Sequence, residues 1–232
     1  ALMKQAARGS LEKYKRKTKN YNGGHTMKRV CGLLVFGILV VSSVCYASGA
    51  EFRLRPYYLV PGEDRFWDHA LGIDAQYVSW MDSHIGIGFS VGLAAWKAED
   101  HVFVEEDFVA QLDGSALVVP MGASVLLRPT PADALFDLTL ECGLRYVVVD
   151  SNVDIAAIDF YYYFEDELDI ENGVVGVIGA EVGFPLSDAI GLSFGVGYQF
   201  DISKGDVEWF GIGLGELEMK GFYFNLGLNI AL

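Results

Sequence analysis

The sequence predicts an all-β fold, an eight-stranded antiparallel transmembrane β-barrel with up-and-down meander connections. Three observations lead there. Large apolar residues recur at every second position in eight separate segments, which is the period of a strand with one apolar face. The segments are joined by connections that alternate between short and long. The face opposite the apolar one is built from Gly, Ser, Asn and Ala, and Lys is nearly absent from the strands.

The first predicted strand covers residues 51–60. The second, residues 69–81, sets Leu71, Ile73, Ala75 and Tyr77 on one face. In the third, residues 85–96, Ile85, Ile87, Phe89, Val91 and Leu93 alternate with Gly86, Gly88, Ser90 and Gly92. The fourth is 115–127, and Pro120 within it predicts a bulge or a strand end, because proline cannot donate to the ladder. The fifth, 136–149, aligns Leu138, Leu140, Cys142, Leu144 and Tyr146. The sixth is 174–184. The seventh, 190–200, turns Ile190, Leu192, Phe194, Val196, Tyr198 and Phe200 outward. The eighth, 221–232, alternates Phe222, Phe224, Leu226, Leu228, Ile230 and Leu232 with Tyr223, Asn225, Gly227, Asn229 and Ala231. Each segment is close to the length that crosses a bilayer at a tilt.

The connections 82–84, 128–134 and 185–189 are short, whereas 97–114, 150–173 and 201–220 are long and 61–68 is intermediate. Short turns at one end and long loops at the other are the arrangement of a membrane barrel. A soluble barrel or sandwich also alternates, so a soluble secreted or periplasmic all-β binding protein is the competing reading. Its second face would meet water and carry Lys, Glu, Thr and Arg. Small residues instead suit the lumen of an eight-stranded barrel, which is just wide enough for packed side chains. Closure then pairs every backbone group inside hydrocarbon.

Strand parity puts several charges on the lumen side. Arg53 and Arg55 are expected to meet Asp74, and Glu141 and Arg145 to meet Glu181. Buried charges persist when paired. Such a cluster serves as an ionic plug or a gate for small solutes, or its members only satisfy one another; a packed lumen has little room to conduct, which favours the last.

The final strand carries a further pattern. Asn225, Gly227, Ile230 and Leu232 fill the polar, glycine and two apolar places of the C-terminal signal that barrel-assembly machinery reads, with aliphatics where an aromatic is commoner. In this, and in strand count and connection parity, residues 51–232 resemble small outer-membrane barrels of the OmpA-transmembrane, OmpX and OmpW kind. The resemblance implies a monomeric integral protein of the Gram-negative cell envelope. Its partners would be outer-membrane lipid, lipopolysaccharide and the assembly machinery. Its role would be structural or in surface interaction, with a small-solute pore as the alternative.

The front of the chain fits export. Met27-Lys28-Arg29, an uncharged apolar stretch and Cys45-Tyr46-Ala47 read as a signal peptide over 27–47, with cleavage as late as residue 50. Residues 1–26 are basic and without apolar period, and are expected to be a disordered, non-native leader upstream of a start at Met27. Residues 1–50 hold nine Lys or Arg against the single acid Glu12. The remainder, with eight basic and thirty acidic residues, therefore carries a formal −22. Nucleic acid is an improbable partner for such a surface.

With Cys31 and Cys45 in the signal, only Cys142 is left, so no internal disulfide is expected. The acids of the third long loop are Asp150, Asp154, Asp159, Glu165, Asp166, Glu167, Asp169 and Glu171. Carboxylates at that density are candidates for divalent cations, although no EF-hand spacing is present. The same loop holds the aromatic run Phe160-Tyr161-Tyr162-Tyr163-Phe164. No cofactor motif is present. The three histidines after the signal, His69, His84 and His101, lack a nucleophile motif, so an outer-membrane hydrolase is the remote alternative.

Overall fold

The computed structural model describes residues 49–62, 67–98, 102–105, 108–131, 134–159, 162–167, 169–209 and 212–232. The expected leader and signal peptide lie outside them. Eight strands form the barrel: β1 (Gly49–Pro61), β2 (Trp67–Trp80), β3 (Ile85–Ala98), β4 (Phe108–Leu127), β5 (Asp137–Asp159), β6 (Gly173–Pro185), β7 (Ile190–Ser203) and β8 (Gly221–Ala231). Each pairs antiparallel with its neighbours in sequence, and β1 pairs with β8 to close the cylinder. No described helix is long and apolar enough to cross a membrane. Closure is the alternative route across hydrocarbon, because it leaves no open strand edge at bilayer depth.

The period of two becomes two faces. Leu71, Ile73, Phe194, Phe222 and Leu226 are exposed on the outside, while Asp74, Gln76, Ser193 and Asn225 are buried inside. Small inward residues make room for large ones from facing strands. A Cβ at Gly197 would run into the ring of Tyr223, and one at Gly92 would touch the ring of Pro120 at 3.0 Å.

Two expectations are corrected. Pro120 neither bulges nor ends its strand. β4 keeps one unbroken register with β5 from Phe108↔Asp159 to Leu127↔Leu140, including Pro120↔Val147. The missing donor appears instead as a local gap on the β3 side. There the pairs run to Val91↔Met121 and resume at Ala94↔Val118. Pro56 does the same in β1: the closing ladder with β8 runs to Leu54↔Leu228 and resumes at Tyr57↔Asn225.

The second correction concerns the long connections. β4 and β5 continue well beyond the apolar segments that mark them in sequence, since backbone pairing does not depend on side-chain polarity. Val102–Glu105 adds to one edge of this extended hairpin and Tyr162–Glu167 to the other. Asp169–Ile170, Gly205–Trp209 and Ile212–Leu217 make a separate three-stranded sheet.

The lumen is layered. At the short-turn end Val78, Trp80 and Leu126 pack together. Charged residues fill the middle. Towards the long-loop end, Leu59, Trp96, Val118, Val147 and Val175 form an apolar cluster that also takes in Ile170, Val207, Leu217 and Met219 from the loops. The loops therefore contribute to the stopper.

These faces predict unequal costs for a new charge. Leu226, 62 % exposed on the outer face, should tolerate arginine poorly, at about 2–4 kcal/mol near the bilayer midplane. Asn229→Arg, at the wet short-turn end of the lumen, should cost much less. The heat-modifiable, folded fraction in membranes compares the two variants, and equal folding would contradict the assigned faces.

Candidate functional site

The lumen charges form one network. Arg55 donates to Asp74 at 2.6 Å and to Glu141 at 2.8 Å, and lies 3.7 Å from Glu181. Arg145 reaches Asp74 at 3.4 Å and lies 3.9 Å from Glu141. Arg53 holds Glu51 at 3.0 Å and Glu181 at 3.2 Å. Arg128 joins from the end of β4 through Glu51 at 3.1 Å, and its guanidinium stacks 4.0 Å from the Trp80 ring centroid. The Trp80 indole N–H also donates to Glu51, at 3.0 Å. The Gln76 amide donates to Glu141 at 2.9 Å and to the Ser124 hydroxyl at 3.1 Å. Arg53, Arg55, Arg128 and Arg145 thus face Glu51, Asp74, Glu141 and Glu181, and the formal charges cancel.

All six charged residues expected from parity are here. They do not form two groups. Arg55 meets Asp74 as expected, but Arg53 turns to Glu51 and Glu181 instead. The Arg55–Glu141 and Arg145–Asp74 contacts fuse the two expected groups. Sequence reasoning missed Glu51, Gln76, Ser124 and Arg128. Two of these share parity with residues it found: Glu51 with Arg53, and Gln76 with Asp74. Arg128 lies just past the predicted strand end.

Two cavities lie along the lumen among the described residues. A cavity of about 360 Å³ opens at the short-turn end between Trp80, Arg128, Asp137 and Glu181. Deeper in, beside Arg55, Glu141 and Tyr223, the void is about 10 Å³. That is at the lower limit for a single water. The apolar cluster lies beyond it.

Of the assembly-signal residues, Asn225 and Gly227 are buried on the inward row of β8. Ile230 sits on the outer row, paired with Phe52, and Leu232 is exposed. Cys142 is a free thiol on the outer face. His84 donates from Nδ1 to the Arg128 carbonyl at 2.8 Å in a short turn. It lies at the opposite end of β2 and β3 from His69, and His101 is outside the described residues. The described histidines therefore share no site. Among the described residues no group of His, Cys, Asp or Glu is arranged to hold a metal. The aromatic run 160–164 and most of the acids of the third loop have side chains outside the described set.

At the loop end Glu218 clasps Lys204 at 2.8 Å and Lys220 at 2.6 Å, and Lys204 also reaches Glu216 at 3.1 Å. Hydrogen bonds from the two lysines hold the Glu218 carboxyl below its ordinary value and raise both ammonium groups.

No family model matches the chain, and no curated protein matches it in sequence. Solved structures do match in shape. The crystal structure of outer membrane protein OprG from Pseudomonas aeruginosa superposes with a TM-score of 0.58 at 8 % identity, covering 80 % of this chain and 97 % of that one. The fold is that of a small outer-membrane barrel. The solid-state NMR structure of outer membrane protein AlkL in DMPC lipid bilayers agrees, with a TM-score of 0.52 at 15 % identity over 82 % of this chain and 92 % of that one. At such identities the likeness is one of fold.

Glu141→Gln leaves Arg55 and Arg145 short of a buried partner and should destabilise the barrel by about 3–5 kcal/mol. Lys204→Gln at the exposed clasp should cost far less, because solvent screens the pair. Urea unfolding of the bilayer-inserted protein measures both. For pH, a depressed carboxyl stabilises above its unfolded pKa, and that contribution is lost as pH falls through the lower folded value. The clasp should therefore open only at pH below the ordinary glutamate range. NMR shifts of the Lys204 and Lys220 side chains should report the opening, and Glu218→Gln should abolish the transition.

Proposed function

We propose that this chain is an integral outer-membrane protein whose work is done by its extracellular structure, with the barrel as a sealed anchor. The observation that carries this reading is the blocked lumen. A charge-neutral ion-pair network, a void no larger than a water and an apolar cluster succeed one another along the axis. Membrane placement is supported by the outward ring of exposed apolar side chains and by the fold shared with OprG and AlkL. The short-turn end then faces the periplasm, and the strands that rise above β4 and β5 face the medium. The signal at 27–47, the assembly signal on β8, contact with lipopolysaccharide and a monomeric state belong to the same proposal. Passage of small solutes is the second reading, and the 360 Å³ periplasmic cavity is the observation that favours it.

Planar bilayers separate the two. Purified protein should give no reproducible conductance steps, and Glu141→Gln should not create them. Steps altered by Glu141→Gln or Arg145→Gln would establish the pore instead. For the surface role, cells producing the protein should lose adhesion when residues 102–105 and 162–167 are replaced by glycine-serine segments, with the barrel still heat-modifiable.

A further inference from the structure

The cavity of about 360 Å³ at the short-turn end is large enough for a small organic molecule. Inward of it, the next void holds about 10 Å³. The charges that line the larger cavity do not balance. Two guanidiniums against five carboxylates leave a formal −3. Glu51 and Glu181 are answered by Arg53, and Glu51 also by Arg128. Asp82 takes the backbone N–H groups of His84 and Ile85. Asp137 and Asp188 have no ion-pair partner among the described residues.

A second, independent observation comes from the wall. Thr139 is 4 % exposed and lines the cavity, yet its hydroxyl meets no hydrogen-bond partner among the described residues. A buried hydroxyl is ordinarily paired. The register sets it beside the unanswered carboxylate: Thr139 opposes Glu181, and Asp137 opposes Gly183, on one inward row. Glu181 keeps its Oε2 without a hydrogen bond, 3.7 Å from Arg55. Acceptors short of donors therefore gather on the wall formed by β5 and β6.

We propose that this cavity binds a small organic cation, with a primary ammonium seated at Asp137, Thr139 and Glu181. An ammonium brings three donors to such acceptors, and charge-assisted bonds to carboxylates are the stronger kind. A divalent metal fits less well. It needs several converging oxygen ligands, and no described group of His, Cys, Asp or Glu supplies them. Asp188, in the turn at the rim, adds a second anionic point, so a short aliphatic diamine is favoured over a monoamine. The site goes beyond the sealed-anchor reading and does not depend on it, because it requires no passage through the lumen.

The test is calorimetric titration of the full-length protein with 1,4-diaminobutane in uncharged detergent micelles, with folding confirmed by heat-modifiability. Binding should be saturable and weakened by salt. 1,4-Butanediol, which has the chain without the charge, should not bind. Tetramethylammonium, which has the charge without an N–H donor, should bind at least tenfold more weakly. Asp137→Asn keeps the shape of a half-buried side chain and should weaken diamine binding at least tenfold. Glu165→Gln with Glu167→Gln, in the acidic third loop, should leave binding unchanged. Should Asp137→Asn not fold, nuclear Overhauser contacts between the diamine methylenes and the Thr139 methyl group of the unaltered protein decide instead. Absence of saturable binding, equal binding of the diol or of tetramethylammonium, or a loss below tenfold for Asp137→Asn overturns the proposal. So does a loss in the loop variant, or no contact at Thr139. Conductance steps in bilayers would revise the reading of the lumen and leave this site standing.

Discussion

Every backbone N–H and C=O of a membrane-spanning strand must find its partner within the protein, since hydrocarbon offers none. The rest of this structure depends on that constraint. Closing eight strands meets it, and closure fixes the lumen at a width that packed side chains fill. Inward positions then have two solutions. They become small, as at Gly92 and Gly197 where Pro120 and Tyr223 intrude. Otherwise they pair, as with the four arginines and four carboxylates of the lumen network. The apolar cluster above them needs no polar partners and can merge with the loops.

The charge network follows from the same narrowness. An isolated carboxylate in this lumen would be desolvated without compensation, and a neutral set spread over five strands is a stable alternative only while every member remains. Arg55 shows the coupling most directly. It contacts carboxylates that arrive on β2, β5 and β6, so strands far apart in sequence are tied through one guanidinium. This gives the barrel a specific register as well as a filled interior.

Strand existence, face and order were legible in the sequence because a period of two is a local signal, and residues 85–93 and 221–232 display it plainly. The charged residues were legible by parity alone. Their actual partners were not, because Arg53 and Glu181 are brought together only by the shear and closure of the cylinder. The extension of β4 and β5 was hidden for a different reason. Outside the bilayer both faces of a strand meet water, so alternation fades while backbone pairing continues. Pro120 misled because a rule about donors says which ladder loses a bond, and in a barrel the other ladder can hold the strand in line.

Pro56 has its own mechanical meaning. It lies on the seam where the chain's two ends meet, and it leaves that ladder with a gap in the middle, between Leu54↔Leu228 and Tyr57↔Asn225. The other side of β1 pairs without interruption from Gly49↔Trp80 to Leu59↔Ala70. A cylinder parts first along its least-stitched line. Here that line is the join between first and last strands, the one contact that cannot form until the whole sheet has curled. The chain is therefore easiest to unzip where it was last to close, and an opening there would leave the seven remaining hairpin-order ladders intact.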